Sequence, residues 1–222
     1  ASLSAVEKGL ELSPRNAQAL ALKGFLLAAQ NRIKEAMTQF EQAMAIDGGL
    51  GNAWLGRGLC RIRQGNAAAG RQDLQVAATL EPHRAVLRSY LAKAYSNESD
   101  LTRAEKEMDL AKRYDPNDPT AWLYGALLAQ QQNRVNEGVR QLERSQELND
   151  NRSVFRSRLL LDQDRAVRSA NLAAIYRDAG MSELSVREAA RAVNYDYANY
   201  SAHLFLANSY DELRDPRQVT LR

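Results

Sequence analysis

Apolar residues recur along the chain at the three- and four-residue spacing of amphipathic helices. In windows of 34 residues that start at Ala17, Gly51, Ala85 and Pro119, the same residue types fall at the same positions. Each window predicts two helices, one over about its first fourteen positions and one over most of the remainder. Such a register is typical of repeat architectures, in which each helix pair packs on the next.

Three positions of every window hold small residues, which predicts close contacts between helices. The small residues are Gly24, Gly58, Ala92 and Ala126 at position 8, Ala36, Gly70, Ala104 and Gly138 at position 20, and Ala43, Ala77, Ala111 and Ser145 at position 27. Position 24 is always large and apolar, as Phe40, Leu74, Met108 and Leu142. Helix axes approach to about 8–10 Å only where the side chains at the crossing are short. The sequence therefore predicts that the helices cross at the small positions.

Residues that end helices also keep to the register. Position 32 holds a proline in two windows, Pro82 and Pro116, where the second helix must end. Position 15 separates the two predicted helices and holds residues that favour turns. These are Asn31, Gly65, Ser99 and Asn133.

This pattern resembles the tetratricopeptide repeat (TPR), whose signature is W-x₂-L-G-x₂-Y, A-x₃-F and P. The matching residues are Trp54 and Trp122 for tryptophan, Leu91, Leu172 and Leu206 for leucine, Gly24 and Gly58 for glycine, Tyr95, Tyr176 and Tyr210 for tyrosine, and Phe40 for phenylalanine. The resemblance implies an all-α fold, a right-handed α-solenoid of antiparallel helix pairs. Lys23 and Arg57 depart from it where leucine is usual, and Arg61 departs where tyrosine is usual. We expect these charges either to weaken the packing or to reach the surface on aliphatic stems that lie along the core.

The resemblance covers nearly the whole chain as a single array, 1–222. The predicted parts are a partial unit 1–16, full units 17–50, 51–84, 85–118 and 119–152, an insertion 153–165, a full unit 166–199 and a partial unit 200–222. The insertion contains Phe155, Leu159 and Leu160, so its composition is too apolar for a disordered linker. Two interpretations remain open. These side chains either pack on neighbouring helices or reach the inner groove and gate a binding site.

Composition argues against several classes of function. The single cysteine, Cys60, excludes an internal disulfide framework, and the two histidines, His83 and His203, leave little material for metal or general-base chemistry. No apolar run reaches the roughly 18 residues of a membrane-spanning helix. Arginine supplies 24 of the 30 basic residues, but acidic residues are interleaved with them and the net charge is only +3. We therefore expect no enzymatic activity, no metal or cofactor, no nucleic-acid partner and no direct membrane insertion.

In TPR arrays the first helices line a concave groove, and the resemblance implies that positions 5, 6 and 9 face it. The groove residues expected here are Phe25, Leu55, Leu59, Tyr90, Lys93, Leu123, Tyr124 and Leu127. Co-chaperone members that bind a C-terminal carboxylate use lysine and asparagine at these places, and only Lys93 is present. The expected function is a non-catalytic scaffold that binds a peptide or helix of a partner protein in an apolar groove.

Two alternative functions remain open. The chain could be a recruitment or regulatory arm of a larger enzyme whose catalytic domain lies outside it, since a partial repeat unit is expected at each end. It could also self-associate as a homodimer through uncapped terminal helices, since Leu204, Phe205, Leu206 and Tyr210 are expected at the surface of the last helix. In its overall sequence pattern, the chain is similar to bacterial TPR proteins of the cell envelope. That similarity implies a periplasmic or outer-membrane-associated location, with a cytoplasmic scaffold as the alternative.

Overall fold

The structure, a computed structural model, describes residues 3–149, 165–195 and 200–213. Within these ranges it contains twelve α-helices and no strand. The helices are α1 Leu3–Leu12, α2 Ala17–Ala29, α3 Ile33–Ile46, α4 Gly51–Arg63, α5 Ala67–Leu80, α6 Ala85–Asn97, α7 Leu101–Tyr114, α8 Pro119–Gln131, α9 Val135–Asn149, α10 Arg165–Asp178, α11 Ser182–Tyr195 and α12 Tyr200–Leu213. The first helices α2, α4, α6 and α8 begin 34 residues apart, at residues 17, 51, 85 and 119.

The described residues fall into two compact units. Unit 1 comprises residues 3–121, and unit 2 comprises residues 122–149, 165–195 and 200–213. In unit 1 each first helix packs on its own second helix, in the pairs α2–α3, α4–α5 and α6–α7, and also on the second helix of the preceding pair. In unit 2, α10 packs on α9, α11 and α12.

The small and large positions of the repeat are buried. Ala36, Ala77 and Ala111 have no exposed surface, and Phe40 at position 24 is likewise fully covered. The ring of Phe40 meets that of Phe25 edge to face, with centroids 5.0 Å apart. The predicted all-α packing at short side chains is therefore present in the core.

Two glycines allow a close helix crossing between α4 and α5 of unit 1. A Cβ atom on Gly70 would lie 2.6 Å from the carbonyl oxygen of Gly58, and a Cβ on Gly58 would lie 2.9 Å from the carbonyl oxygen of Gly70. Both distances are shorter than van der Waals contact allows, so even alanine would force α4 and α5 apart.

The turn between the two helices of a pair has the same geometry in five repeats. Asn31, Gly65, Ser99, Asn133 and Gly180 all have positive φ angles, between 59° and 89°. The residue after each donates its backbone N–H to a carbonyl of the last helical turn, as Asp100 does to Tyr95 at 2.9 Å. This is the left-handed C-terminal cap, which explains why asparagine and glycine recur at position 15.

Unit 2 also contains a close helix crossing, which here involves one glycine and one alanine. A Cβ on Gly138 of α9 would lie 3.3 Å from the carbonyl oxygen of Ala126 on α8. Farther along, the hydroxyl of Ser185 on α11 donates to the carbonyl of Ala173 on α10 at 2.8 Å. Phe155, Leu159 and Leu160 of the predicted insertion lie outside the described residues, as does the insertion itself apart from Arg165.

Candidate functional site

The eight expected groove residues divide into a buried set and a partly exposed set. Five are buried, with between 1% and 8% of their surface exposed. These are Phe25, Leu55 and Tyr90 in unit 1 and Leu123 and Tyr124 in unit 2. The partly exposed residues are Leu59 and Lys93 in unit 1 and Leu127 in unit 2. Within this set of eight, every partly exposed residue occupies position 9 of its repeat, in unit 1 and in unit 2 each taken by itself.

Helix geometry accounts for this division. Position 9 follows position 5 by four residues, which rotates the side chain by about 40° around the helix axis. Leu59 is thereby turned away from the buried site of Leu55 while it stays on the same face of α4. Phe25 also occupies position 9, but its edge-to-face contact with Phe40 holds it in the core.

Two of the three charged departures from the TPR signature, Arg57 and Arg61, pair with the buried Asp73 between α4 and α5. The third, Lys23 on α2, pairs instead with Glu7 of α1 at 3.2 Å. Arg57 donates through Nε to Oδ2 of Asp73 at 2.9 Å and through Nη2 to Oδ1 at 2.8 Å. Arg61 adds a third hydrogen bond to Oδ1 at 3.0 Å. The guanidinium of Arg57 also lies over the ring of Trp54, 4.9 Å from its centroid. The charges of Arg57 and Arg61 are thus paired inside the repeat, and the Asp73 carboxylate is the partner that the sequence pattern did not identify.

Cys60 is buried on α4, where its surroundings shift the pKa of its thiol. Burial raises the pKa of the Cys60 thiol to about 11, and the nearby charge of Arg63 lowers it only in part. The thiol therefore stays protonated at neutral pH and behaves as a small apolar group. Within the described ranges, no group of three or more histidine, cysteine, aspartate and glutamate side chains could hold a metal ion.

In unit 2, a tyrosine lies between helices that carry carboxylates. The hydroxyl of Tyr176 donates to Oε1 of Glu143 at 2.7 Å. Burial first, and then the hydrogen bond to Glu143, raise the pKa of the Tyr176 phenol well above its usual range. The phenol therefore acts only as a neutral hydrogen-bond donor that joins α10 to α9.

The last described helix, α12, has one exposed and one packed side. Leu204 and Tyr210 are each 48% exposed, and Tyr200 is 78% exposed. Phe205 and Leu206, which the sequence also placed at the surface, pack partly buried against Ala192 and Val193 of α11. The exposed apolar set of α12 is therefore Tyr200, Leu204 and Tyr210.

No helix among those described is both long and apolar enough to cross a membrane.

The sequence and the structure were compared with those of known proteins. No protein-family model matches the sequence. A 118-residue region is 29% identical to a mouse (Mus musculus) protein named protein O-mannosyl-transferase TMTC1, and it covers 51% of this chain but only 12% of that protein.

Solved structures match most of the chain at low sequence identity. A structure of the APC/C hetero-tetramer Cut9–Hcn1 superposes with a TM-score of 0.81 and 16% identity, over 96% of this chain and 40% of that one. The Thermus thermophilus TPR protein TTC0263 gives a TM-score of 0.74 and 16% identity, over 88% and 99% of the two chains. YrrB, described as a TPR protein with an unusual peptide-binding site, gives 0.52 and 15%, over 90% and 97%.

These likenesses confirm the fold that the residue pattern predicted. The chain has the tetratricopeptide-repeat fold, an all-α solenoid of helix pairs.

Proposed function

We propose that this chain is a non-catalytic scaffold that binds a peptide or helix of a partner protein through position 9 of its first helices. The observation that carries the proposal is the partial exposure of Leu59 on α4 of unit 1. Taken by itself, unit 2 shows the same feature at the same repeat position, where Leu127 of α8 is partly exposed. A leucine side chain that is accessible at a repeated position gives a partner apolar area to bury, at about 25 cal/mol per Å². The described peptide-binding site of YrrB, which shares the fold, supports this use of the surface.

The test replaces both Leu59 and Leu127 with glutamate. It then measures the amount of each protein that copurifies with the variant, relative to wild type. Leu80→Glu is the matched control, because Leu80 is exposed on the second helix α5. We expect the double variant to lose the copurifying partner and the control to retain it, with equal helical circular dichroism in both. Retention of the partner by the double variant would reject the proposal. Leu55 and Leu123 are unsuitable for this test, since a charge at either buried site would report on folding.

A recruitment arm of a larger enzyme is the second candidate. It is favoured by the similarity to a protein that is named as a transferase. The matched region covers only 12% of the length of that protein. In that case the position-9 residues would bind the substrate protein or a regulatory subunit, and the chemistry would occur in another domain. The two candidates differ in one measurement: deletion of residues 1–222 from the complete protein should lower the rate with protein substrates only if the chain recruits them.

Self-association is a third candidate, favoured by the exposed Tyr200, Leu204 and Tyr210 of α12. A second copy could bury this surface and form a homodimer. Sedimentation over a range of concentrations tests it, with Leu204→Glu as the variant and Leu80→Glu as the control. A monomer at every concentration would exclude this candidate.

A further inference from the structure

In unit 1, charge is segregated between the two kinds of helix. The first helices α2, α4 and α6 contain six basic residues and no acidic residue. The basic residues are Lys23, Arg57, Arg61, Arg63, Arg88 and Lys93. The second helices α3, α5 and α7 contain six basic and six acidic residues. The excess positive charge of unit 1 therefore belongs to the layer that carries the proposed binding surface.

The ion pairs of unit 1 leave part of this charge uncompensated on α4. The other ion pairs described in unit 1 each join one cation to one carboxylate, as between Arg88 and Glu107 at 2.6 Å. On α4, Arg57 and Arg61 share the single carboxylate of Asp73. The guanidinium of Arg63 contacts only the backbone carbonyl of Ala28 on α2, at 3.4 Å, among the described residues. Three guanidinium groups on one helix are thus balanced by one carboxylate.

Arg63 lies beside the accessible leucine of the same helix. Leu59 and Arg63 are four residues apart, which places them one turn apart on the same face of α4. The contact with Ala28 shows that Arg63 extends toward the neighbouring first helix, α2. A guanidinium has five N–H donors, so one long hydrogen bond to a carbonyl leaves several for a carboxylate.

From this arrangement, and on the basis of the proposed function, we infer that the partner segment is acidic as well as apolar. A side chain such as leucine would contact Leu59, while an aspartate or glutamate one turn or two residues away would bind Arg63. An internal carboxylate serves this purpose, so a free C-terminus is not required. Nucleic acid fits less well, because single strands need exposed rings for stacking. Phe25 and Tyr90 are buried, and the guanidinium of Arg57 lies over one face of the partly exposed Trp54 ring.

The test measures fluorescence anisotropy with the full 222-residue chain and three labelled 12-residue peptides, all acetylated and amidated. The peptides alternate leucine with glutamate, with serine or with lysine. We expect the leucine–glutamate peptide to bind about tenfold more tightly than the leucine–serine peptide, and this preference to shrink as salt is raised from 50 to 500 mM.

Two charge reversals locate the effect. Arg63→Glu should weaken binding of the leucine–glutamate peptide about tenfold, whereas Arg113→Glu should change it less than twofold. Arg113 is exposed on the second helix α7, so the two variants carry the same net charge and differ only in where it is changed. Arg63→Gln keeps hydrogen-bond donors but removes the charge, and should lie between wild type and Arg63→Glu. Circular dichroism confirms that each variant is folded.

Three results would overturn the inference. One is the absence of any preference for the glutamate peptide, whether all three peptides bind equally or none binds. A second is an equal loss in Arg63→Glu and Arg113→Glu. A third is a labelled 20-nucleotide single-stranded DNA that competes as well as the glutamate peptide. Equally tight binding of the glutamate and serine peptides that is lost in Leu59→Glu but unaffected in Arg63→Glu would retain the proposed function and reject only the acidic partner.

Discussion

Arg57 binds both carboxylate oxygens of Asp73, with nitrogen–oxygen distances of 2.8 and 2.9 Å, although the two residues lie on different helices of one repeat. Asp73 is 3% exposed, so its charge has little access to water and depends on the two guanidinium groups around it. This pair takes the place of the leucine-centred packing that is usual at the position of Arg57. It also makes the α4–α5 interface specific, because a shifted helix would leave a buried carboxylate without a partner.

Replacing Asp73 with asparagine should therefore destabilise the fold. Breaking a fully buried ion pair costs about 3–5 kcal/mol. We expect about 2 kcal/mol here, because Arg57 and Arg61 are partly exposed and can be hydrated after the change. The midpoint of urea unfolding measures the loss. Asp100→Asn is the control, since Asp100 pairs with Arg103 three residues away on the surface; a loss there as large as that in Asp73→Asn would contradict the account.

The sequence predicted the helix pairs but not this ion pair, and the reason is physical. Small residues at positions 8, 20 and 27 act at helix crossings, so they recur in every repeat and are visible in one sequence. The contact between Arg57 and Asp73 occurs in one repeat only, and no periodicity relates a residue of α4 to a residue of α5. The arginines at apolar positions were a signal that some carboxylate must lie nearby, but they did not identify which one.

The groove residues show a similar limit. Repeat position alone placed Leu55 and Leu59 together, and the structure buries the first while leaving the second partly exposed. A rotation of about 40° between these positions decides which side chain reaches the surface. Such a difference depends on how neighbouring helices pack, so the repeat pattern of the sequence does not show which of the two leucines is exposed.

Gly70→Ala tests the helix crossing directly. The added Cβ would lie 2.6 Å from the carbonyl oxygen of Gly58, and backbone atoms cannot yield without moving a helix. We expect a loss of about 1–3 kcal/mol in the free energy of unfolding. Gly9→Ala is the matched control, because nothing lies within 4 Å of its Cβ and alanine favours the helix by about 0.5–1 kcal/mol. Equal effects of the two substitutions would show that α4 and α5 do not cross at these glycines.

Ser99→Gly should stabilise the protein. Ser99 has a φ angle of 62°, in the left-handed region that costs a residue with a side chain about 1–2 kcal/mol. Glycine removes this cost but adds freedom to the unfolded chain, so the net gain should be about 0.5 kcal/mol. The same change at Ser13, which is exposed and has no positive φ, should instead destabilise by about 0.4–1 kcal/mol, because glycine adds freedom to the unfolded chain without relieving any cost in the folded one. Thermal unfolding of the two variants measures both changes in stability. The midpoint should rise for Ser99→Gly and fall for Ser13→Gly.

The Cys60 thiol should be protected from reagents in the folded protein. Its pKa of about 11 keeps the thiolate scarce at pH 8, and burial blocks access to the sulfur. We expect reaction with a chromogenic disulfide to be at least about a hundredfold slower in buffer than in denaturant. Rapid reaction under native conditions would contradict the burial of Cys60.

The same raised pKa links stability to pH. An unfolded cysteine has a pKa of about 8.5, so the folded state favours the protonated thiol. The contribution of Cys60 to stability is therefore complete below about pH 8.5 and is lost as the pH rises toward 11. Cys60→Ala should show a smaller fall in unfolding free energy than wild type across this range. An identical pH profile for the two proteins would show that Cys60 does not titrate with folding.

Photo-crosslinking from single positions tests most directly whether the first helices carry the binding surface. A photoreactive amino acid is placed in turn at Leu59 on α4, at Leu80 on α5 and at Leu204 on α12, in cells that make the complete protein. The account predicts a defined adduct with one partner protein from position 59, and only background from position 80. Adducts of equal yield from positions 59 and 80, or adducts from position 204 alone, would contradict it.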